Sequence, residues 1–387
     1  MKIAGVTIQE PKVISADTTF YVATTGSDTT GDGSSGSPWA TLRKALSYLD
    51  EYRILGSAKV TISIAKGKYT ETSQVPVNHP NGDRIRIVGS TPLSRTMSSV
   101  QSVSGSSANY DIVVNVNSVA DISVGDYVIF RDCANGTRPQ CMFGLWPVTD
   151  VDAVNTRITV KSRQVVNSPS GAVTANLTVL QTILSFTGCS GLYMSYGARI
   201  GNRVDDIGLA YIVLEGDRTA STFGLACNGG AQVNIENSIG VYGFNINVMA
   251  SGGTSTIGSQ KSAVMNVSYG NTGGLYVGMG SSVNVGTILS CGNTGYGVKA
   301  YLNSVAILGA GITCGNGIGL QAVEGGVTHS DGVCAFNTYG AKAVGASYIC
   351  YACFDKTGNT TDASPTADTA PGATGDYSFI DTALTPY

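Results

Sequence analysis

The sequence predicts an all-β fold: a single-stranded parallel β-helix with an N-terminal capping helix and a small inserted β module. Three observations carry that prediction. Asn271, Asn293, Asn316, Asn337 and Asn359 recur at steps of 22, 23, 21 and 22 residues. Within each step, short alternating apolar runs stand between Gly, Asn or Ser corners. Leu275/Val277, Val283/Val285 and Ile288 form one unit, and Val298, Val305/Ile307 and Ile312 the next. The third is composition: Gly supplies 50 of 387 residues, 42% are apolar and only 13% charged, which describes a folded chain with many tight corners and a neutral polar skin. A period near 22 is too short for a propeller blade and carries no helical pattern. It fits one turn of a coil stacked about 4.8 Å above the last. A leucine-rich repeat has a similar period, but its LxxLxLxxN pattern does not occur.

Taken in order, residues 1–19 form an N-terminal segment without the apolar run of a signal peptide. No apolar run anywhere is long enough to span a bilayer, so the expectation is synthesis in a cytoplasm without membrane insertion. Residues 20–90 read as a cap and first coil. "FYVATTGSDTTGDGSSGSPWATLRKALSYLDEYRILGS" gives a strand, a loop and a helix, with Ser37 as N-cap, Pro38 at the first helical position and Gly56 as the stop. Leu42, Ala45, Leu46 and Leu49 make one apolar stripe, and a helix there covers the open end of the stack. "KVTISIAKGKYTE" and "RIRIVGS" follow as strands. Residues 91–180 break the rhythm and read as a small all-β insert, from "ISVGDYVIFRD", "LWPVTDVDAVNTRITVKSR" and "NLTVLQTILSF". Residues 181–359 are the coils, roughly eight of them at the repeat period. Residues 360–387 are rich in Thr, Asp, Ala and Pro and read as an extended tail packed on something else, another subunit being one option.

"FYVATTGSDTTGDGSSGSPWATLRKAL" followed by "VTISIAKGKYTE" resembles the cap of the pectate-lyase-like right-handed β-helix superfamily. The coils with repeated "YG" and "GS" steps, closing on "ASYICYACFDKTGNTTDASPT", resemble bacteriophage tailspikes and tail fibres. The insert is similar to a β module carried by several such proteins. The resemblance implies a right-handed helix and a homotrimer on a virion tail, assembled in the host cytoplasm. Its implied partners are a tail or baseplate protein, held through residues 1–19, and a bacterial surface polysaccharide that it binds and often cleaves. The chain departs from longer tailspikes in having only about sixteen residues before Asp17 where they carry a virion-anchoring domain.

A β-helix suits a glycan because side chains on one outer face stand in ladders about 4.8 Å apart. Acids one rung apart approach the ~5–5.5 Å of a retaining glycosidase pair, and two rungs apart the ~6.5–9.5 Å of an inverting one. Acids are scarce, however: between Phe223 and Asn359 only Glu236, Glu324, Asp331 and Asp355 occur, with no arginine. The densest charge lies in "RIGNRVDDIGLAYIVLEGDRT". There Asp205, Asp206, Glu215 and Asp217 are the candidate catalytic acids, and Arg203, Arg218, Tyr211 and Tyr242 the candidate substrate contacts. An arginine there would neutralise a uronate carboxylate if the reaction is a lyase's. The competing reading makes them ordinary corner residues, solvated or paired.

Tyr196, Tyr242, Tyr269, Tyr296 and Tyr339 all precede Gly, with Tyr276 and Tyr301 nearby. They are either sugar-stacking faces or repeat corners packed on the next coil. Neither a metal nor a cofactor is expected. His79 and His329 are the two histidines, no Cys/His pairs stand at zinc spacing, and Asp28 and Asp32 lack the pattern of a calcium loop. Trp39 and Trp146 read as core anchors. A net charge of −3 offers no basic field to nucleic acid. Cys291, Cys314 and Cys334 are expected as an inward-facing ladder of small buried side chains.

Overall fold

The computed structural model of the chain describes residues 12–106, 109–134, 144–163, 174–259, 263–335, 337–345 and 347–355. It adds the short strands Lys2–Ile3, Val6–Thr7, Thr361–Thr366 and Ser378–Ile380. Among the described residues the helices are Leu42–Leu49 and a single 3-10 turn at Gly82–Arg84, and the strands wind a right-handed parallel β-helix of about ten turns. No helix among the described residues is long and apolar enough to cross a membrane.

Alternation decides what each turn buries. Each coil has three faces in chain order. The first face stacks Val60–Ile64, Ile85–Val88, Gln232–Ile235 and Thr256–Ser259, then the leading halves of Ser282–Cys291, Val305–Cys314 and Val327–Ala335. The second stacks Gly67–Glu71, Thr182–Phe186, Val213–Glu215, Ile239–Tyr242 and Val264–Ser268, then the trailing halves of those long strands. The third runs from Val75–Pro76 through Leu192–Met194, Phe223–Asn228, Ile246–Ser251, Gly273–Gly278 and Tyr296–Tyr301, continuing to Tyr339–Val344. Leu225, Val248, Leu275, Val298, Leu320 and Ala341 lie directly above one another on it, all buried. Each rung therefore presents the next with an apolar residue at the same place, and the core is one continuous column.

Part of the asparagine beat becomes a buried ladder. The Asn293 amide donates to Asn316 Oδ1 (2.9 Å), and the Asn316 amide donates to Asn337 Oδ1 (3.0 Å). Asn271 keeps the spacing but is exposed at its corner, and Asn359 lies outside the described residues.

The helix is Leu42–Leu49, and it buries Leu42, Ala45, Leu46 and Leu49 as the stripe predicts. Its N-cap is Thr41 instead of Ser37. Ser37 and Pro38 are held in the preceding loop, where Ser27 N–H donates to the Pro38 carbonyl and Trp39 N–H to that of Tyr21. Trp39 is anchored in the core, and helix begins only beyond it. Asp28 helps start it, its carboxylate accepting from Ala40 N, Thr41 N and Thr41 Oγ1.

Between the first-face strand Ile85–Val88 and the second-face strand Thr182–Phe186 the chain makes a closed six-stranded barrel. Its strands, in order around it, are Leu93–Gly105, Tyr110–Val116, Arg157–Ser162, Gly144–Asp152, Tyr127–Ala134 and Thr174–Leu180. Closure leaves no unpaired strand edge. The barrel lies on the second face: one apolar cluster joins Val128, Phe130, Leu145 and Trp146 to Val213, Tyr242, Val264, Leu289, Cys291 and Cys314.

That contact corrects the cysteine expectation. Cys291 and Cys314 are register partners on adjacent rungs, but they point outward under the barrel. Cys334 pairs with Thr313 across a bulge and belongs to the inner column. The bulge shifts it by one position, and in a strand one position is the opposite face.

Candidate functional site

Two surfaces collect polar and charged side chains, and both follow from how the coils are built. The first is a groove on the first face. Register places Arg199, Gln232, Thr256 and Ser282 on successive rungs, with Asn234, Gly258 and Asn284 two residues further along three of them. The loop 201–207 leaves this face and folds back across Asn234, whose amide donates to the carbonyls of Asn202 and Ile207. Gly208 permits this, since a Cβ there would lie 2.0 Å from the Asn234 carbonyl oxygen. Loop and rungs together enclose a groove of about 380 Å³ lined by Arg199, Arg203, Gln232, Thr256, Ser282 and Asn284 among others. Its donors and acceptors are amides, hydroxyls and guanidinium groups repeated along the helix axis.

The second surface is the seam between barrel and coils. Glu215 Oε1 accepts from the Tyr127 hydroxyl (2.7 Å), and Oε2 pairs with Lys68 Nζ at 2.5 Å. Burial works to raise the Glu215 pKa, but hydrogen bonds from Lys68, Ser185 and Tyr127 outweigh it and hold the carboxyl below its ordinary value. Tyr127 is fully buried, and burial followed by the Glu215 charge pushes its phenol well up. Tyr242 is 7% exposed and packs between Tyr127, at 5.2 Å between ring centroids, and Tyr269, at 5.3 Å. Burial raises its pKa as well. The guanidinium groups of Arg218 and Arg163 both lie over the Tyr269 ring, 4.2 and 4.7 Å from its centroid.

The candidates divide between these places. Glu215, Arg218 and Tyr242 meet at the seam; Arg203 lines the groove. Asp217 stabilises turns, Oδ2 accepting from Gly188 N–H and Oδ1 from Thr219 N–H. Burial works to raise its pKa, yet those bonds leave it lowered. Asp205 is exposed at the loop tip, its pKa lowered by the Asn202 amide and by Lys59, whose Nζ lies 3.3 Å away. Asp206 is exposed beside it in the left-handed region, φ 51°. Tyr211 accepts from Asn237 at 2.6 Å. Glu236 forks onto Arg86, binding coils together. Among the described residues no three His, Cys, Asp or Glu side chains converge.

The tyrosines split in the same way. Tyr296 is 7% exposed and packed, whereas Tyr196 is 94% exposed. On the third face Tyr276 and Tyr301 lie 6.3 Å apart, with Lys299 5.4 Å from the Tyr301 ring. Sequence reasoning missed Gln232, Thr256, Ser282 and Asn284, each of which is an unremarkable polar residue in its own strand. Aligning the alternation across coils would have found their common face. Nothing in the sequence ties Arg163, a barrel residue, to Tyr269, because that contact exists only through docking of the barrel.

No family model matches the chain, and no curated protein matches it. Among solved structures it is similar to a glycoside hydrolase at 7% identity and a TM-score of 0.24, covering 88% of this chain and 95% of that one. It is also similar to the gp54 tailspike of Acinetobacter baumannii bacteriophage AP22, solved in complex with A. baumannii capsular saccharide. There identity is 12% and the TM-score 0.17, with 79% of this chain and 71% of that one covered. At TM-scores this low, function has to be argued from the residues of this chain.

Proposed function

We propose that this protein binds an extended polysaccharide along its first face, as a tailspike-like or tail-fibre-like receptor-binding protein. The observation that carries the proposal is the groove: Arg199, Gln232, Thr256 and Ser282 in register on successive rungs, with Arg203 and Asn284 beside them. Repeated hydrogen-bonding groups about 4.8 Å apart match a polymer of hydroxylated rings better than they match a compact ligand. Binding is favoured over cleavage because, of the four candidate acids, Glu215 is tied to Tyr127 and Lys68, Asp217 to Gly188 and Thr219, and Asp205 to Asn202 and Lys59. That leaves exposed Asp206 without a second uncommitted candidate to act as its catalytic pair. The bacterial surface glycan, the homotrimer, the virion tail and the tail or baseplate partner come into the proposal with the sequence resemblance of the cap and coils.

The test is retention of the purified protein on immobilised capsular polysaccharides and lipopolysaccharides, with the soluble glycan then assayed for new reducing ends and unsaturated uronate absorbance. We expect retention on a subset, lost in the double variant Gln232→Ala/Asn284→Ala, and no new ends. Failure to bind any of the glycans would remove the proposal, and new ends would convert it into a depolymerase. Light scattering during gel filtration tests the homotrimer.

A further inference from the structure

The corner that follows the second face repeats from rung to rung. The residues after Tyr242, Ser268, Cys291 and Cys314, which are register partners, are Gly243, Tyr269, Gly292 and Gly315, with φ of 75, 62, 66 and 66°. Three rungs place glycine in this left-handed conformation, where it meets no steric penalty. The fourth places a tyrosine, so the backbone is strained to put a ring at this point.

Arg218 and Arg163 both lie over that ring. Both are measured to one centroid, so the two charges stand within about 9 Å of each other and repel. Their partners are neutral. Arg218 Nη2 donates to Asn271 Oδ1 (3.0 Å) and Thr294 Oγ1 (3.1 Å), and Arg163 donates to Asn109 Oδ1. Among the described residues neither guanidinium forms an ion pair with a carboxylate, and Glu215 is committed to Lys68 and Tyr127. Arg163, Arg218 and Tyr269 are all half-buried, and the Nε atoms of both arginines are buried without a hydrogen-bond partner among the described residues.

We propose that this seam binds the carboxylate of an acidic sugar, a hexuronate unit, through the guanidinium groups of Arg163 and Arg218. Tyr269 is a positioning residue that holds the two guanidinium groups through their contact with its ring. Asn271, Thr294 and Asn109 surround the pair with groups suited to ring hydroxyls. The sugar part rests on the glycan-binding reading above; the carboxylate part rests on the unneutralised charge alone.

Isothermal titration with sodium glucuronate at tens of millimolar, with glucose, methyl glucuronate ester and acetate in parallel, tests the proposal. Wild type is expected to bind glucuronate and to ignore glucose and the ester. Arg218→Gln and Arg163→Gln should each weaken binding by about tenfold or more, the loss of one charge-assisted contact. Tyr269→Gly restores the residue used by neighbouring rungs, so it should keep the wild-type circular dichroism spectrum and still lose binding. No glucuronate binding, or binding unchanged in all three variants, overturns the subsite, and acetate binding as tightly as glucuronate overturns its sugar part. The groove variant Gln232→Ala/Asn284→Ala separates the two proposals. If it loses polysaccharide retention but keeps glucuronate binding, the seam is a distinct subsite. If wild type retains only neutral polysaccharides, the groove stands and the seam proposal falls. If it binds glucuronate but no polysaccharide, the groove falls and the carboxylate site stands.

Discussion

Asn316 shows what a single residue does in a repeat. Its side chain, 3% exposed, accepts from Asn293 N and Nδ2 and donates to Ser290 O and Asn337 Oδ1. Truncation to Ala strands several buried partners at once, so Asn316→Ala is expected to cost about 3 kcal/mol or more in chemical denaturation. Asn316→Asp should fare no better, because a carboxylate cannot donate to Ser290 and Asn337. Glu215 has a different signature. Its folded pKa lies below the ordinary 4.5, so folding favours the ionised form. That stabilisation is present above 4.5 and fades as pH falls through the folded value. The stability gap between wild type and Glu215→Gln should therefore shrink on acidification below pH 4.5, read by thermal melts across that range. A gap that widened would place Glu215 in a different environment from the one described.

Among the elements, the loop 201–207 and the barrel depend on close approach. A Cβ on Gly208 would overlap the Asn234 carbonyl and push the loop off the first face. Gly208→Ala is expected to destabilise by about 1–3 kcal/mol and to weaken glycan retention with it, since the loop is one wall of the groove. Leu145 is fully buried within the apolar cluster that joins the barrel to the second face, and its N–H donates to Ser268 Oγ. Leu145→Ala should cost about 2–5 kcal/mol in denaturant titrations. Neither effect is visible from the strands alone. The alternation that marks Gly144–Asp152 as a strand says nothing about which neighbour covers it.

At the scale of the whole molecule, the groove has a length. Arg199, Gln232, Thr256 and Ser282 occupy four successive rungs, spanning about 14 Å at the usual strand spacing. Affinity for oligosaccharides of a bound glycan should therefore rise with chain length and level off near roughly three rings of that size. Calorimetry on a size-fractionated series measures it, and an affinity independent of length would mean that the groove holds only a chain end.

The winding of the coils was legible in the sequence. A repeat near 22, alternation inside it and glycine at its corners are local properties, and only a stacked coil satisfies all of them, because each unit alone cannot bury its apolar side. The stripe Leu42, Ala45, Leu46 and Leu49 was legible for the same reason. What lay outside the sequence was every contact between segments without a shared period. The bulge that turns Cys334 inward while Cys291 and Cys314 face the barrel shifts the chain by one residue and leaves no compositional trace. The clustered charges at 199–218 drew attention in the sequence, yet the fold distributes them between a loop tip, a groove and a seam. Strand periodicity fixes which side of a strand is apolar, and so the sequence by itself determined the β-helix. Which outer face is open, which lies beneath the barrel, and which arginines meet over Tyr269 depend on docking of the insert, and only the tertiary structure decided them.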